Sequence, residues 1–448
     1  MEKDMTKGSP ARILIFFTLP MLIGNLFQQF YNIVDTIVVG NFVGAGALAS
    51  VGASTTLVFL LLCFAIGVSM GCSVLVSQYY GAGETQKMRQ AVFVSMVFIL
   101  VVGTLLSVFG VIGADWLLSI TNVPVEILAD AKTYFVVYCF GGLFVFIYNA
   151  LAAMCRAIGD SKTPLYFLIA TSLLNIAGDL LFVLQFGMGV AGVAWATMIS
   201  QGISALACGI YVFCRVPALK ITRSDCVFSW RMLWDLVVYA VPSTIQQSIV
   251  SFSLVAVQGL VNTFGMTTIA GYTAACKIDQ FAIQPLLSLN LATTSFTAQN
   301  VGAQKYDRVE KGFRTSVLLV VAICVVISGA IWLWGADLIG LFVDSVESAG
   351  VIDAGVSYIR VVSVCYIIMG MMFTAASVLR GAGDMGYFLV GSLLNFSARI
   401  IAAYSLASAL GFSAIAYSIP IGWILGLTFN FLRYKSGGWK DKALVQKA

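Results

Sequence analysis

The sequence predicts an all-α membrane protein of twelve transmembrane helices, arranged as two related six-helix lobes. Three observations carry that reading. Of 448 residues 60% are hydrophobic and only 10% charged, with a mean hydropathy of +0.96, whereas about a quarter of a soluble domain is charged. Apolar runs recur along the whole chain, each near the roughly 20 residues that cross a bilayer core as a helix. The second half of the chain repeats the landmarks of the first.

The crossings fall near residues 13–39, 47–77, 91–113, 133–155, 165–185 and 190–214, then 236–262, 268–297, 315–336, 356–379, 387–408 and 413–432. The runs are continuously apolar, which argues for helices; barrel strands alternate and span in about ten residues. Orientation follows from the cations. All of the 25 Lys and Arg except Lys132, Lys277, Arg360 and Arg399 fall on one set of alternating connections and on the two termini. The opposite connections carry Asp115, Glu126, Asp130, Asp337, Asp344, Glu347 and Asp353. Both termini are therefore expected on the cytoplasmic side of the cell membrane. The net charge of +5 reports topology and not a nucleic-acid partner.

The ten cysteines are scattered without a CxxC pair and lie mostly inside crossings, as at Cys63, Cys72, Cys139 and Cys324, so they read as small core residues. With no histidine in the chain, His-ligated metal and haem sites are excluded, and proton chemistry falls to carboxylates or tyrosines. No short apolar leader with a small-residue cleavage site opens the chain, so no removable signal is expected.

The duplication is explicit. Gln78-Tyr79-Tyr80-Gly81-Ala82 ends the second crossing and Gln299-Asn300-Val301-Gly302-Ala303 the eighth. Arg156-Ala157-Ile158-Gly159-Asp160 matches Arg380-Gly381-Ala382-Gly383-Asp384, Ser172-Leu173-Leu174-Asn175 matches Ser392-Leu393-Leu394-Asn395, Pro20 matches Pro242, and Tyr134 matches Tyr358. Six crossings per half is an even number, so both copies enter the membrane in the same sense, as in transporters built from parallel repeats. The lobes are expected over 1–214 and 233–448, joined by a basic linker, 215–232, that contains Pro217.

Ionisable groups at membrane depth are costly and default to a functional reading. In the first crossing Asn25, Gln28, Gln29, Asn32 and Asp35 recur at steps that place them on one stripe of an apolar helix. Taken singly, the amides also suit helix-to-helix polar glue; Asp35, a lone carboxylate among amides, suits a cation or proton site better. In the fifth crossing Asn175 and Asp179 share a face, with no Lys or Arg in that helix to neutralise the acid. Oxygen donors of this kind fit a hard cation, and Thr197 in the sixth crossing offers a hydroxyl. The bland alternative is a helix-end aspartate solvated from outside. In the second half the positions matching Asp35 and Asp179 are Val257 and Arg399, so the halves have specialised. Lys277, Asp279 and Arg399 are the other deep charges, and internal pairing is expected for them. Gln247, Ser251 and Gln258 form a polar stripe on the seventh crossing, expected to line the wall opposite the first. Pro20 and Pro242 lie inside crossings, where a missing amide and a ring clash bend the helix, either as a fixed kink or as one that straightens. Gly141-Gly142 reads as a close-packing pair.

At these residues the chain resembles the multidrug and toxic compound extrusion (MATE) family along essentially its whole length. The resemblance is carried by Leu19-Pro20 with Gln28, Tyr31 and Asp35, then Val39-Gly40, the turn from Arg156 to Thr163, and Asn175 to Asp179 followed by Gly192-Val193-Ala194-Trp195-Ala196-Thr197. It implies two six-helix lobes and export of organic cations or amphipathic compounds in exchange for Na+ or H+. It further implies Asp35, Asn175, Asp179 and Thr197 as the cation site of the first lobe, with any Na+ held at Asp35 and Asp179, and Gln28, Tyr31 and Asn149 as substrate-facing neighbours. Pro20 resembles the family's bending proline. Some members place acids in the seventh and tenth crossings; here Gln246 to Ser253 and Cys365 to Phe373 contain none, which points ion coupling to the first lobe. A monomer without a prosthetic cofactor is expected, with small organic substrates and membrane lipid as its partners. A flippase for lipid-linked precursors, from the wider superfamily of related architecture, would need several cavity cations to meet pyrophosphate, where only Lys277 and Arg399 lie deep. An enzyme would need a nucleophile paired with a base, and the sequence offers no such constellation.

Overall fold

A computed structural model of the chain describes residues 3–121, 123–342 and 348–444; Asp344, Glu347 and Lys447, which enter the charge pattern above, lie outside the described residues. The first half comprises α1 (Pro10–Val38), which runs into a π-helical turn at Val39–Val43, then α2 (Ala45–Gly81), α3 (Thr85–Ile112), α4 (Ala114–Ile120), α5 (Val125–Phe140), α6 (Gly142–Ala157), α7 (Lys162–Leu180) with a second π-helical turn at Leu181–Gln185, and α8 (Gly189–Arg215). The second half comprises α9 (Trp230–Val261), α10 (Met266–Ala282), α11 (Gln284–Gly302), α12 (Tyr306–Gly340), α13 (Ser348–Val364), α14 (Tyr366–Ala382), α15 (Met385–Leu410) and α16 (Ser413–Ser436).

Among the described residues nine helices are long and apolar enough to cross a membrane, and the pairs α5–α6 and α13–α14 each make one bent span. The remaining expected crossing, 268–297, falls on α10 and α11, which are not among the helices and pairs that pass that test. Large apolar side chains stand on the outside of these helices, including Leu105, Ile112, Val326 and Leu333, a surface that hydrocarbon accepts and water does not.

Three crossings that the hydrophobic pattern reads as continuous are interrupted. The α5–α6 span bends by 48° at Gly141, whose φ of −87° and ψ of 0° depart from the ideal helical values of about −63° and −42°. Gly141 also packs so tightly that a Cβ there would strike the Met198 side chain, and one on Gly142 would come within 2.8 Å of Ser107 Oγ; the pair is both a close contact and a bend. The α13–α14 span bends by 47° at Cys365, where the Ser328 hydroxyl donates to the Ser363 carbonyl at 2.6 Å and so engages an acceptor of the helical ladder. The α10–α11 break at Ile283 precedes Pro285 in the first turn of α11, which has no amide to continue the ladder.

The chain divides into two compact units. One comprises Pro20–Gln247 together with the N-terminal residues through Asp4; the other comprises Met5–Leu19 and everything from Ser248 onward. The start of α1 thus belongs with the second half, and the start of α9 with the first. Within the first unit, Gly67 and Gly71 of α2 are spaced one turn apart and lie against the α9 backbone: a Cβ on Gly67 would overlap Thr244, and one on Gly71 would lie 2.7 Å from Ala240 Cα. This is the small-xxx-small packing that lets helices approach in lipid. Arg89 of α3 holds the linker, donating to the Pro217 and Ala218 carbonyls at 3.1 and 3.4 Å. At the α6–α7 turn the buried Asp160 carboxylate accepts from the Lys162 and Thr163 amides at 3.0 and 3.1 Å and from the Thr163 hydroxyl at 2.6 Å. Burial works against this charge, but the Thr163 hydroxyl and amide hold the carboxyl below the usual aspartate range.

Within the second unit α15 packs along α16, and α11 along α14. Its N-terminal segment is pinned at Met5, which is fully buried: the amide donates to Gln299 Oε1 at 2.9 Å, and the carbonyl accepts from Asn300 at 3.2 Å and Arg308 at 3.1 Å. None of the ten cysteines forms a disulfide; six are buried.

Candidate functional site

The polar stripe of α1 brings Asn25, Gln28, Gln29 and Asp35 to half-buried positions, while Asn32 is exposed. Across from it, α7 and α8 meet closely, because Gly178 leaves no side chain between α7 and Ala196 of α8. That approach sets the α7 polar face against Thr197. Asn175 and Asp179 are 2% and 0% exposed, and Asn175 Nδ2 donates to Thr197 Oγ1 at 3.2 Å, while Thr197 donates back to the Val193 carbonyl at 3.0 Å.

The Asp35 and Asp179 carboxyl groups come within hydrogen-bonding reach of each other. Neither is ion-paired to a Lys or Arg among the described residues. Asp35 Oδ1, both Asp179 oxygens and Asn175 Oδ1 are buried and receive no hydrogen bond from a donor of the chain. Two carboxylates cannot donate to one another; each orphaned acceptor carries a desolvation penalty of about 1–3 kcal/mol, more when charged. Carboxylate, amide and hydroxyl oxygens grouped in this way have the chemistry to share a proton or to accept a small hard cation. Tyr31 of α1 and Tyr134 of α5 lie near enough to both acids to feel their charge, and Tyr138 stacks on Tyr134 with ring centroids 6.4 Å apart.

About one helical turn from the polar residues, an apolar cluster closes this region. Val38 and Val39 from α1 and its π turn, Val183, Val193, Ala194 and Tyr134 pack together, with Val34 and Val137 against them. The π-helical turns at Val39–Val43 and Leu181–Gln185 follow directly on the two acid-bearing helices; such turns recur at functional sites because they re-aim side chains.

The other residues singled out in the sequence are placed as follows. Asn149 of α6 is half-buried and donates to the Val145 carbonyl of its own helix at 2.9 Å. Gln247 of α9 lies in the first unit, where its carbonyl accepts from the Cys63 thiol at 3.7 Å. Gln258 of the same helix lies in the second unit and donates to Asn262 Oδ1 at 2.9 Å. Pro20 and Pro242 both sit inside unbroken α-helices. The internal pairing expected of Lys277, Asp279 and Arg399 does not form. Asp279 instead accepts a short hydrogen bond from the Tyr366 hydroxyl, Lys277 stands 5.4 Å over the Phe342 ring, and Arg399 Nε is buried without an acceptor. A phenol satisfies the carboxylate with less desolvation than a second ion would need.

Comparison with known proteins supplies the family. The MatE family pattern matches residues 20–181 and 242–405, the same two segments that the internal repeat defines, each beginning at its proline. The chain belongs to the MatE family. Among relatives of this MatE chain, the probable multidrug resistance protein YpnP of Bacillus subtilis is 29% identical over 98% of both chains. YoeA of the same organism, also a probable multidrug resistance protein, is 27% identical over 100% of this chain and 98% of its own length. The probable multidrug resistance protein NorM of Thermotoga maritima is 23% identical over 97% and 94%. Among solved structures, MATE in complex with MaL6 superposes with a TM-score of 0.92 at 24% identity, covering 98% of this chain and 99% of that one. The outward-facing conformation of a multidrug resistance MATE family transporter gives 0.91 at 24% identity and 98% coverage of both. The fold is theirs: twelve membrane-spanning helices in two lobes.

Proposed function

We propose that this MatE protein is a secondary active exporter of organic cations or amphipathic compounds, driven by inward exchange of H+ or Na+. The observation that carries the proposal is the sequestered pair Asp35 and Asp179, with orphaned oxygens and, among the described residues, no Lys or Arg ion-paired to either acid. Asn175 and Thr197 complete the ion's oxygen set. Gln28, Tyr31, Asn149, Gln247 and Gln258 are assigned to substrate, and Pro20 and Pro242 to helix bending. The names of YpnP, YoeA and NorM support the cargo class, and the distribution of Lys and Arg supports both termini on the cytoplasmic side of the cell membrane. The lobes, 1–214 and 233–448 about the linker 215–232, act as one monomer.

Exchange requires that ion and cargo prefer different states of the protein. An ion entering between the acids removes the negative charge that attracts a cationic cargo, so ion uptake and cargo release are linked through electrostatics. Reconstituted protein loaded with a fluorescent organic cation tests this under a Na+ gradient and a pH gradient imposed separately. One gradient accelerates efflux; insensitivity to both sinks the proposal.

A further inference from the structure

The end of α16 builds a second, unassigned pocket in the second unit. Gly437, at a φ of +74°, turns the chain back, and the segment behind it is fastened in place: Trp439, 1% exposed, donates through Nε1 to the Tyr434 carbonyl at 3.0 Å, and the Tyr306 hydroxyl donates to the Lys440 carbonyl at 3.2 Å. Tyr434 lies in a stack between Phe313, centroids 4.1 Å apart, and Trp439, 6.1 Å apart and inclined by 7°. Against this rigid aromatic floor opens a cavity of about 370 Å³ lined by Glu310, Phe313, Arg314, Tyr434, Lys435 and Lys440, among others.

The charges around it are unevenly balanced. Arg433 pairs with Asp384 at 2.7 Å and Lys440 with Glu310 at 3.0 Å. Arg314 and Lys435 pair with no carboxylate among the described residues. Three cations against one carboxylate leave the lining with two positive charges. Beside the pocket the surface turns apolar, with Leu318 71%, Phe431 40% and Leu432 63% exposed, on helices that cross the membrane.

We propose that this pocket binds the phosphodiester headgroup of an anionic phospholipid, with Arg314 and Lys435 on the phosphate and the acyl chains along Leu318, Phe431 and Leu432. A free anion would use the cations and leave the apolar strip bare; an anionic lipid uses both, and basic pockets between transmembrane helices at the membrane edge have the chemistry for such headgroups. The orientation proposed above decides only which leaflet supplies the lipid.

Native mass spectrometry of the full-length protein in detergent tests this, with phosphatidylglycerol, phosphatidylethanolamine and inorganic phosphate added in separate arms. The wild type retains phosphatidylglycerol in preference to phosphatidylethanolamine. At about 1 kcal/mol per interfacial cation, the double variant Arg314→Gln/Lys435→Gln loses about 30-fold in phosphatidylglycerol affinity, while the charge-keeping variant Arg314→Lys/Lys435→Arg retains it. Arg215→Gln/Lys220→Gln, in the other half of the chain, serves as a charge-matched control and binds as wild type. Equal retention by wild type and the Gln double variant overturns the proposal. Full displacement of the lipid by inorganic phosphate also overturns it, in favour of a soluble anion.

Discussion

Asp179 supplies two of the four buried oxygens left without donors around the acid pair. Replacing it with Asn keeps the shape, removes one negative charge and turns one of those acceptors into a donor aimed at Asp35. A charge-assisted contact is worth about 1.5–3 kcal/mol, so the affinity of the site for its ion falls about 10- to 150-fold. Fold stability moves the other way, because the substitution removes a buried, unpaired charge and not a structural contact; the thermal midpoint of purified Asp179→Asn is expected to equal or exceed that of wild type. Gradient-driven efflux of a fluorescent organic cation from proteoliposomes is the assay. Export is expected to fail under gradients that drive wild type, with the protein inserted and monodisperse. Export at the wild-type rate with wild-type ion dependence would refute the reasoning, and so would a variant that fails because it no longer folds.

Gly71→Val forces a side chain into the Ala240 backbone and should destabilise by about 1–3 kcal/mol in thermal unfolding, whereas Gly52→Ala, with open space around it, should hold or gain stability; equal behaviour of the two contradicts the packing argument. Tyr366→Phe removes the donor to Asp279 and is expected to cost about 1–3 kcal/mol, a loss that shrinks when Asp279→Asn is already present; strict additivity in the double-mutant cycle rules the contact out as a contributor. The Asp160 carboxyl is held below its unfolded value of about 4, so its contribution is present above that pH and fades as pH falls through the folded value. Asp160→Asn should therefore flatten the acid limb of a stability-versus-pH curve, and an unchanged limb would show that the α6–α7 turn does not set it.

The architecture was legible because membrane spans are written in apolar runs and the duplication in short motifs; both survive divergence of everything between them. The acid pair was legible for a related reason: in so apolar a chain, Asp35 and Asp179 have few competitors. The interruptions were not. The bend at Cys365 depends on Ser328 reaching the Ser363 carbonyl, a contact between residues of two different helices that no local pattern encodes. Pro285, in contrast, was a local signal, and read as a helix breaker it marks the α10–α11 division. Tyr138 went unnoticed because aromatic residues are common in such helices; its spacing of four from Tyr134, itself a landmark of the repeat, was the available clue. Pairing of Lys277, Asp279 and Arg399 was inferred from charge alone, and the phenol of Tyr366 took the place of the missing partner.

The exchange of segments between the units bears on how the protein is made. Met5 finds its partners at Gln299, Asn300 and Arg308, so this segment waits through the synthesis of the 294 residues that separate Met5 from Gln299 before the groups that hold it exist. The first unit likewise stays incomplete until the start of α9 is synthesised past the linker. Assembly in the bilayer therefore cannot proceed strictly half by half. A gene cut at the linker should yield two fragments that mature only when produced in the same cell, each carrying a strand of helix that belongs to the other.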